Sequence, residues 1–215
     1  MNHLYKIYSL MPLPIRIPVR EIFFFYYRHI GRRYQALEST KAKGRRLRES
    51  FFDSYCSGKG LDIGYGGDLL VPGCFGWDIE HGDAQLLKRL DDSTFDFVYS
   101  SHTLEHMVNP VLALRNWWRV LKPGGYLILY VPDRDLYEKR RTLPSRWNRD
   151  HKHFFLLNHS EEPDTCSLLH LIEKSITGYH LIFAKECDEG HTISDPEQHS
   201  DGEYSIEIVL RKCRT

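Results

Sequence analysis

Residues 60–68 read GLDIGYGGD, from Gly60 to Asp68. Leu61 and Ile63 have the character of a buried strand end, with Asp62 between them and Gly64, Gly66 and Gly67 after them. Glycines at the carboxyl end of a strand let the backbone turn tightly and let a ligand approach where a Cβ would clash. In an open α/β sheet that end is a ligand-binding crevice. Glycine clusters occur in many loops, so the weight of this one comes from its sequel. GWDIEHGDAQ (76–85), FDFVYSSHTLEHM (95–107) and LKPGGYLILYVPD (121–133) follow in order.

Outward from that stretch, the pattern predicts alternating strands and helices. A short helix over 48–56 leads in. CFGWDIE (74–80) reads as the second strand, and the few residues after Gly67 abbreviate the first crossover. Parallel strands ordinarily need a longer one. The segment HGDAQLLKRL leaves no room for a full second crossover helix. FDFVYSS (95–101) alternates like a strand. Asn109-Pro110 opens a helix, a capping residue followed by proline at the first helical position. YLILYVP (126–132) is nearly all apolar, as in the centre of a parallel sheet. Residues 133–160 are too long and too polar for a connector and read as an insertion or lid. A last helix is expected over 163–174, then two late strands, 180–187 and 203–212, as an antiparallel hairpin.

Charge divides the chain. Its 215 residues have zero formal net charge, but residues 1–50 carry eleven Lys/Arg against three Asp/Glu, a balance of +8, and the remainder carries −8. Prolines 12, 14 and 18 exclude a continuous helix at the start, and a helix is expected from Val19. The aromatic run Phe23–Tyr27 among arginines suits either an arm on an anionic membrane or lipid-linked substrate, or a helix packed on the domain or a second subunit. Residues 41–50, KAKGRRLRES, read as a charged connector with a solvated face, and no nucleic-acid partner is expected. The domain proper is expected over 51–215. Cys56, Cys74, Cys166, Cys187 and Cys213 form no CxxC pair, so reduced thiols in a cytoplasmic protein are expected. No apolar run is long enough to span a bilayer, and no secretory signal is evident.

The ordered pieces LDIGYGG, GWDIE, GDAQ, FDFVYSSHTLEH and RVLKPGGYLILYVPD resemble the class I S-adenosylmethionine-dependent methyltransferases, in particular the type 11 group. SRWNRDHKHFF in the insertion is similar to a subgroup of polysaccharide biosynthesis. The resemblance implies a Rossmann-like α/β fold, S-adenosylmethionine as cofactor, and methyl transfer to an acceptor, such as a hydroxyl of a glycan or sugar intermediate. It implies that the amides of Gly64 and Gly66 face the methionyl part, with Asp62 near its ammonium. A carboxylate ending the second strand, Asp78 with Glu80 close behind, would accept both ribose hydroxyls. Asp83 and Ala84 of GDAQ would meet the adenine. Ser101 and His102 would border the sulfonium.

Methyl transfer depends mainly on positioning, but a hydroxyl acceptor benefits from a general base. His102, Asp133, His151 and His153 are the candidates, with His102 best placed. Glu105 and His106 read as mainly structural. Trp147, Arg146 and Arg149 beside His151 and His153 suit a sugar or sugar phosphate. Two rivals stand. His102-Thr-Leu-Glu105-His106 spells HxxEH, an inverted zinc-peptidase signature, but that motif needs a long helix, so no metal site is expected. The other rival is a non-catalytic scaffold that binds the cofactor or nothing.

Overall fold

The computed structural model describes residues 38–214. The basic aromatic arm is expected over residues 1–50, and its residues 1–37 lie outside the described residues. Helices α1 (Glu38–Arg48) and α2 (Phe51–Tyr55) come first, followed by strands β1 (Gly60–Ile63), β2 (Phe75–Trp77) and β3 (Phe95–Ser101). Helix α3 (Pro110–Val120) runs directly into β4 (Leu121–Pro132). Then come β5 (Phe154–Leu156), β6 (Thr165–Ser167), α4 (Leu168–Ser175), β7 (Tyr179–Cys187) and β8 (Ser205–Lys212). The main sheet has the order β2-β1-β3-β4-β8-β7. Its first four strands are parallel, and β8 and β7 complete it as an antiparallel pair.

Both faces of the sheet are covered, which is why β4 reads as a continuous apolar run. On one face Leu61, Ile63, Val98, Leu127, Leu129, Ile206 and Ile208 pack against Leu114 and Trp117 of α3 and Leu168 and Ile172 of α4. On the other, Phe97, Tyr99, Ile128, Tyr130 and Val209 meet Ala42 of α1 and Phe51 of α2. Asn109 caps α3 as its sequence predicts, its side chain accepting from Leu112 N at 3.0 Å with Pro110 at the first position.

Three expectations change. Residues 41–50 are not a solvated connector: Arg46 on α1 is fully buried and Arg45 nearly so. Arg45 forks onto Glu203 at 2.9 to 3.2 Å and reaches Glu207 at 2.8 Å, while Arg46 Nε donates to Glu207 at 2.7 Å. These ion pairs fasten α1 to β8. The last helix starts later than residue 163, because Ser167 takes the capping position and accepts from His170 N. Residues 163–167 instead contribute β6, which pairs in parallel with β5 of the insertion. The second strand stops at Trp77, where Asp78 caps a short turn, Ile79–His81. All five cysteines are unpaired. Among the described residues, no helix is long and apolar enough to cross a membrane.

Candidate active site

Hydrogen bonds tie the carboxyl ends of β1, β2 and β3 together. Gly64, at φ +75°, donates to Trp77 O at 2.7 Å. A Cβ on Gly64 would lie 2.0 Å from Thr103 Oγ1, so only glycine fits between the β1 and β3 ends. Thr103 Oγ1 in turn donates to Ile63 O at 3.2 Å. Gly66 N donates to Asp78 Oδ2 at 3.2 Å, and Asp78 Oδ1 accepts from Ile79 N at 2.8 Å. The amides of Gly64 and Gly66 are therefore bonded within the chain and do not point to a ligand, contrary to expectation. Asp62 is 1% exposed and accepts from Leu70 N at 2.7 Å, so it braces the glycine loop from beneath. Burial pushes its carboxyl up to about 7.

Beyond Asp78 the chain offers an apolar face. Ile79 is 83% exposed beside that carboxylate. Glu80 is half-buried in the same turn. Asp83 is exposed and turns back to accept from Gln85 N at 2.8 Å. Helix α3 holds this loop. Trp117 Nε1 donates to Ala84 O at 2.8 Å, Asn116 Nδ2 to Gln85 O at 3.0 Å, and Asn109 N to Gln85 Oε1 at 2.7 Å.

After β3, Ser101 O accepts from Thr103 Oγ1, and His102 takes a left-handed backbone at φ +48°. Non-glycine residues held there often mark functional sites. The His102 amide donates to Tyr130 O, and its Nε2 lies 2.9 Å from Ser205 Oγ. Rings of Tyr130, Tyr137 and Tyr204 surround it at 5.8 to 6.3 Å. Burial first, with a smaller contribution from the groups around it, holds its pKa well below the usual imidazole range. His102 is thus a neutral imidazole with a fixed orientation.

The other base candidates are engaged elsewhere. Asp133 Oδ1 caps the helical turn Arg134–Glu138, accepting from Asp135 N and Leu136 N. His153 Nε2 lies 3.1 Å from Met107 O and holds a loop. His151 is buried with Nδ1 2.6 Å from Glu138 Oε1. Trp147 packs edge-on against His199, and Arg146 bonds Pro196 O. Glu105, read as structural, is fully buried, and neither carboxylate oxygen has a hydrogen-bond partner. Burial pushes its carboxyl up to about 7. The HxxEH spelling pointed to this residue, although 104–106 is one tight turn and not the helix of a zinc peptidase.

Residues 61–129 match the family model described as a methyltransferase domain. The matched span contains the β1, β2 and β3 ends described above. An S-adenosylmethionine-dependent methyltransferase of Thermotoga maritima, described as a possible histamine N-methyltransferase, is 19% identical with a TM-score of 0.50. That likeness covers 91% of this chain and 96% of the other. The [4+2]-cyclase SpnF is 16% identical, also at a TM-score of 0.50, covering 79% of this chain and 81% of the other. The architecture is the Rossmann-like methyltransferase fold. The ubiquinone biosynthesis O-methyltransferase of Maricaulis maris is 39% identical over 51 residues, which is 24% of this chain. An uncharacterized 37.1 kDa transposon protein of Streptomyces fradiae is 38% identical over 58 residues, 27% of this chain. These segments span only 20% and 16% of those two proteins.

Proposed function

We propose that this chain transfers a methyl group from S-adenosylmethionine to an oxygen of a glycan or sugar intermediate. The carrying observation is the joined end of β1, β2 and β3, where Asp78 and Gly66 share a hydrogen bond inside the matched segment. The residues there fit the cofactor. Gly64 packs so closely on Thr103 that a Cβ would overlap its Oγ1, which keeps the turn at the strand tip tight. Asp78 is a carboxylate at the strand tip where ribose hydroxyls need an acceptor. Exposed Ile79 supplies an apolar surface for a nucleobase. The loop carbonyls, with the amides already bonded, suit an ammonium better than a carboxylate.

S-adenosylmethionine supplies a methyl carbon on a sulfonium, open to in-line attack by an acceptor oxygen. The chain's task is orientation and proton removal. Neutral His102, held by Ser205 and the tyrosines, is the residue we assign to the acceptor proton. Arg140 and Arg141 line a cavity of about 480 Å³ between the insertion and the loop that precedes β8, which suits an anionic sugar. The basic aromatic arm would contact a membrane or a lipid-linked acceptor.

Incubation with methyl-labelled S-adenosylmethionine and a panel of glycans and lipid-linked sugars, read by mass spectrometry, tests the reading. A methyl ether on a sugar oxygen supports it. Methylation confined to proteins or small amines overturns the acceptor class. A scaffold reading is favoured by one observation, that both glycine amides are spent internally. Absence of S-adenosylhomocysteine binding would select it.

A further inference from the structure

We propose that Glu105, His106 and His151 bind one divalent transition-metal ion, with His102 at its edge, in a site that bridges the β3 end and the insertion. Around Glu105 Oε1 lie His106 Nε2 at 3.8 Å, His151 Nε2 at 3.8 Å and His102 Nδ1 at 3.9 Å. One donor atom from each of Glu105, His106 and His151 falls within 4.8 Å of the other two.

The outer nitrogens decide what faces inward. His151 Nδ1 is 2.6 Å from Glu138 Oε1, and His106 Nδ1 is 3.1 Å from Asp150 Oδ2. A carboxylate accepts, so each Nδ1 carries a proton, and the lone pair of such a ring in its neutral form lies on the Nε2 that faces Glu105. Two imidazole lone pairs and a carboxylate with no hydrogen-bond partner therefore converge on one point. Three acceptors at that distance repel unless positive charge lies between them. A proton on Glu105 answers one lone pair, whereas a metal ion answers all three. A carboxylate on the far nitrogen of each ring is also how metal-bound histidines are ordinarily oriented.

Two imidazoles and a carboxylate form the donor set of catalytic zinc, and cobalt, iron and manganese accept it too. Metal–donor bonds of about 2.0–2.2 Å place tetrahedral ligands about 3.4 Å apart. Closing from 3.8 Å needs only small side-chain rotations. Three protein donors leave a position open, in a crevice that His102 and His106 reach with rings about one-fifth exposed.

Resting on the methyl-transfer reading, the ion's role is to polarise the acceptor hydroxyl. The hydroxyl proton passes to His102 and then to solvent. The oxygen–carbon bond forms as the carbon–sulfur bond breaks, and the sulfonium becomes a neutral thioether.

The test starts from full-length protein stripped with chelator. Calorimetric titration with zinc is expected to show one equivalent bound below about 1 μM, and cobalt to give visible bands of a low-symmetry nitrogen–oxygen site. Glu105→Gln is expected to weaken zinc at least 100-fold while leaving S-adenosylhomocysteine affinity within threefold. Should that variant not fold, Asp150→Asn, at an exposed side chain, is expected to weaken zinc about 10-fold. Wild-type protein that takes no stoichiometric zinc overturns the site, as does unchanged zinc affinity in Glu105→Gln. Zinc bound without any S-adenosylhomocysteine affinity supports the site but sinks methyl transfer. S-adenosylhomocysteine bound without zinc sinks the site alone.

Discussion

Arg46 Nε donates to Glu207 Oε1 at 2.7 Å, and both side chains are completely buried. Arg46 Nη1 also donates to Tyr99 OH at 3.0 Å. Glu207 also accepts from Arg45, and through Arg45 and Glu203 the same network reaches the hydroxyl of Tyr130, whose backbone carbonyl holds the His102 amide. Removing one partner of such a pair strands the other charge, which costs about 3–5 kcal/mol. Arg46→Ala is expected to lose that much in urea unfolding. Loss of under 1 kcal/mol would show that α1 is not held this way.

Asp62 makes stability depend on pH. Its folded carboxyl sits at about 7, above the unfolded value of about 3.9. The folded chain therefore keeps a proton that the unfolded chain releases. The stability this contributes is complete below about pH 4 and is lost as pH rises to about 7. At about 1.4 kcal/mol per unit, the charged carboxylate costs on the order of 4 kcal/mol at pH 8. Asp62→Asn keeps an acceptor for Leu70 N without the charge. The difference between variant and wild type in urea unfolding should rise from pH 4 to pH 8 in the variant's favour. A constant difference would contradict the assignment.

Gly64 is expected to tolerate no side chain. Its φ of +75° and the 2.0 Å approach of Thr103 Oγ1 to a would-be Cβ act together. Gly64→Ala should cost about 1–3 kcal/mol in backbone strain and weaken S-adenosylhomocysteine at least 10-fold. Thermal melting and calorimetry on one preparation read both.

His102→Ala should reduce turnover about 100-fold, within the range of a lost general base, and leave S-adenosylhomocysteine affinity within threefold. Ser205→Ala, which frees the ring from its 2.9 Å contact, should cost less, about 10-fold. Equal turnover in wild type and His102→Ala would remove the residue from proton transfer.

Much of the fold was legible because local signals agreed with burial. FDFVYSS, Asn109-Pro110 and YLILYVP each announced an element that forms at nearly the expected residues. The failures share a cause, namely partners distant in sequence. A run of arginines reads as solvated unless Glu203 and Glu207 are known to lie against it. The one local hint was Glu207 set between Ile206 and Ile208 in an apolar strand. His151 and Glu138 sit in the insertion, and nothing near Glu105 in sequence foretold them. The glycine loop was located by its sequence, but which atoms it spends internally depended on the neighbouring strand ends at Trp77 and Asp78.

The central claim is that the ends of β1, β2 and β3 form one cofactor crevice with Asp78 at its ribose side. Calorimetric titration of S-adenosylhomocysteine into wild type and Asp78→Ala tests it most directly. One site per chain with micromolar affinity, lost by at least 100-fold in Asp78→Ala while the circular dichroism spectrum is retained, is the expected result. No binding to the wild type, or equal affinity in both proteins, would contradict it.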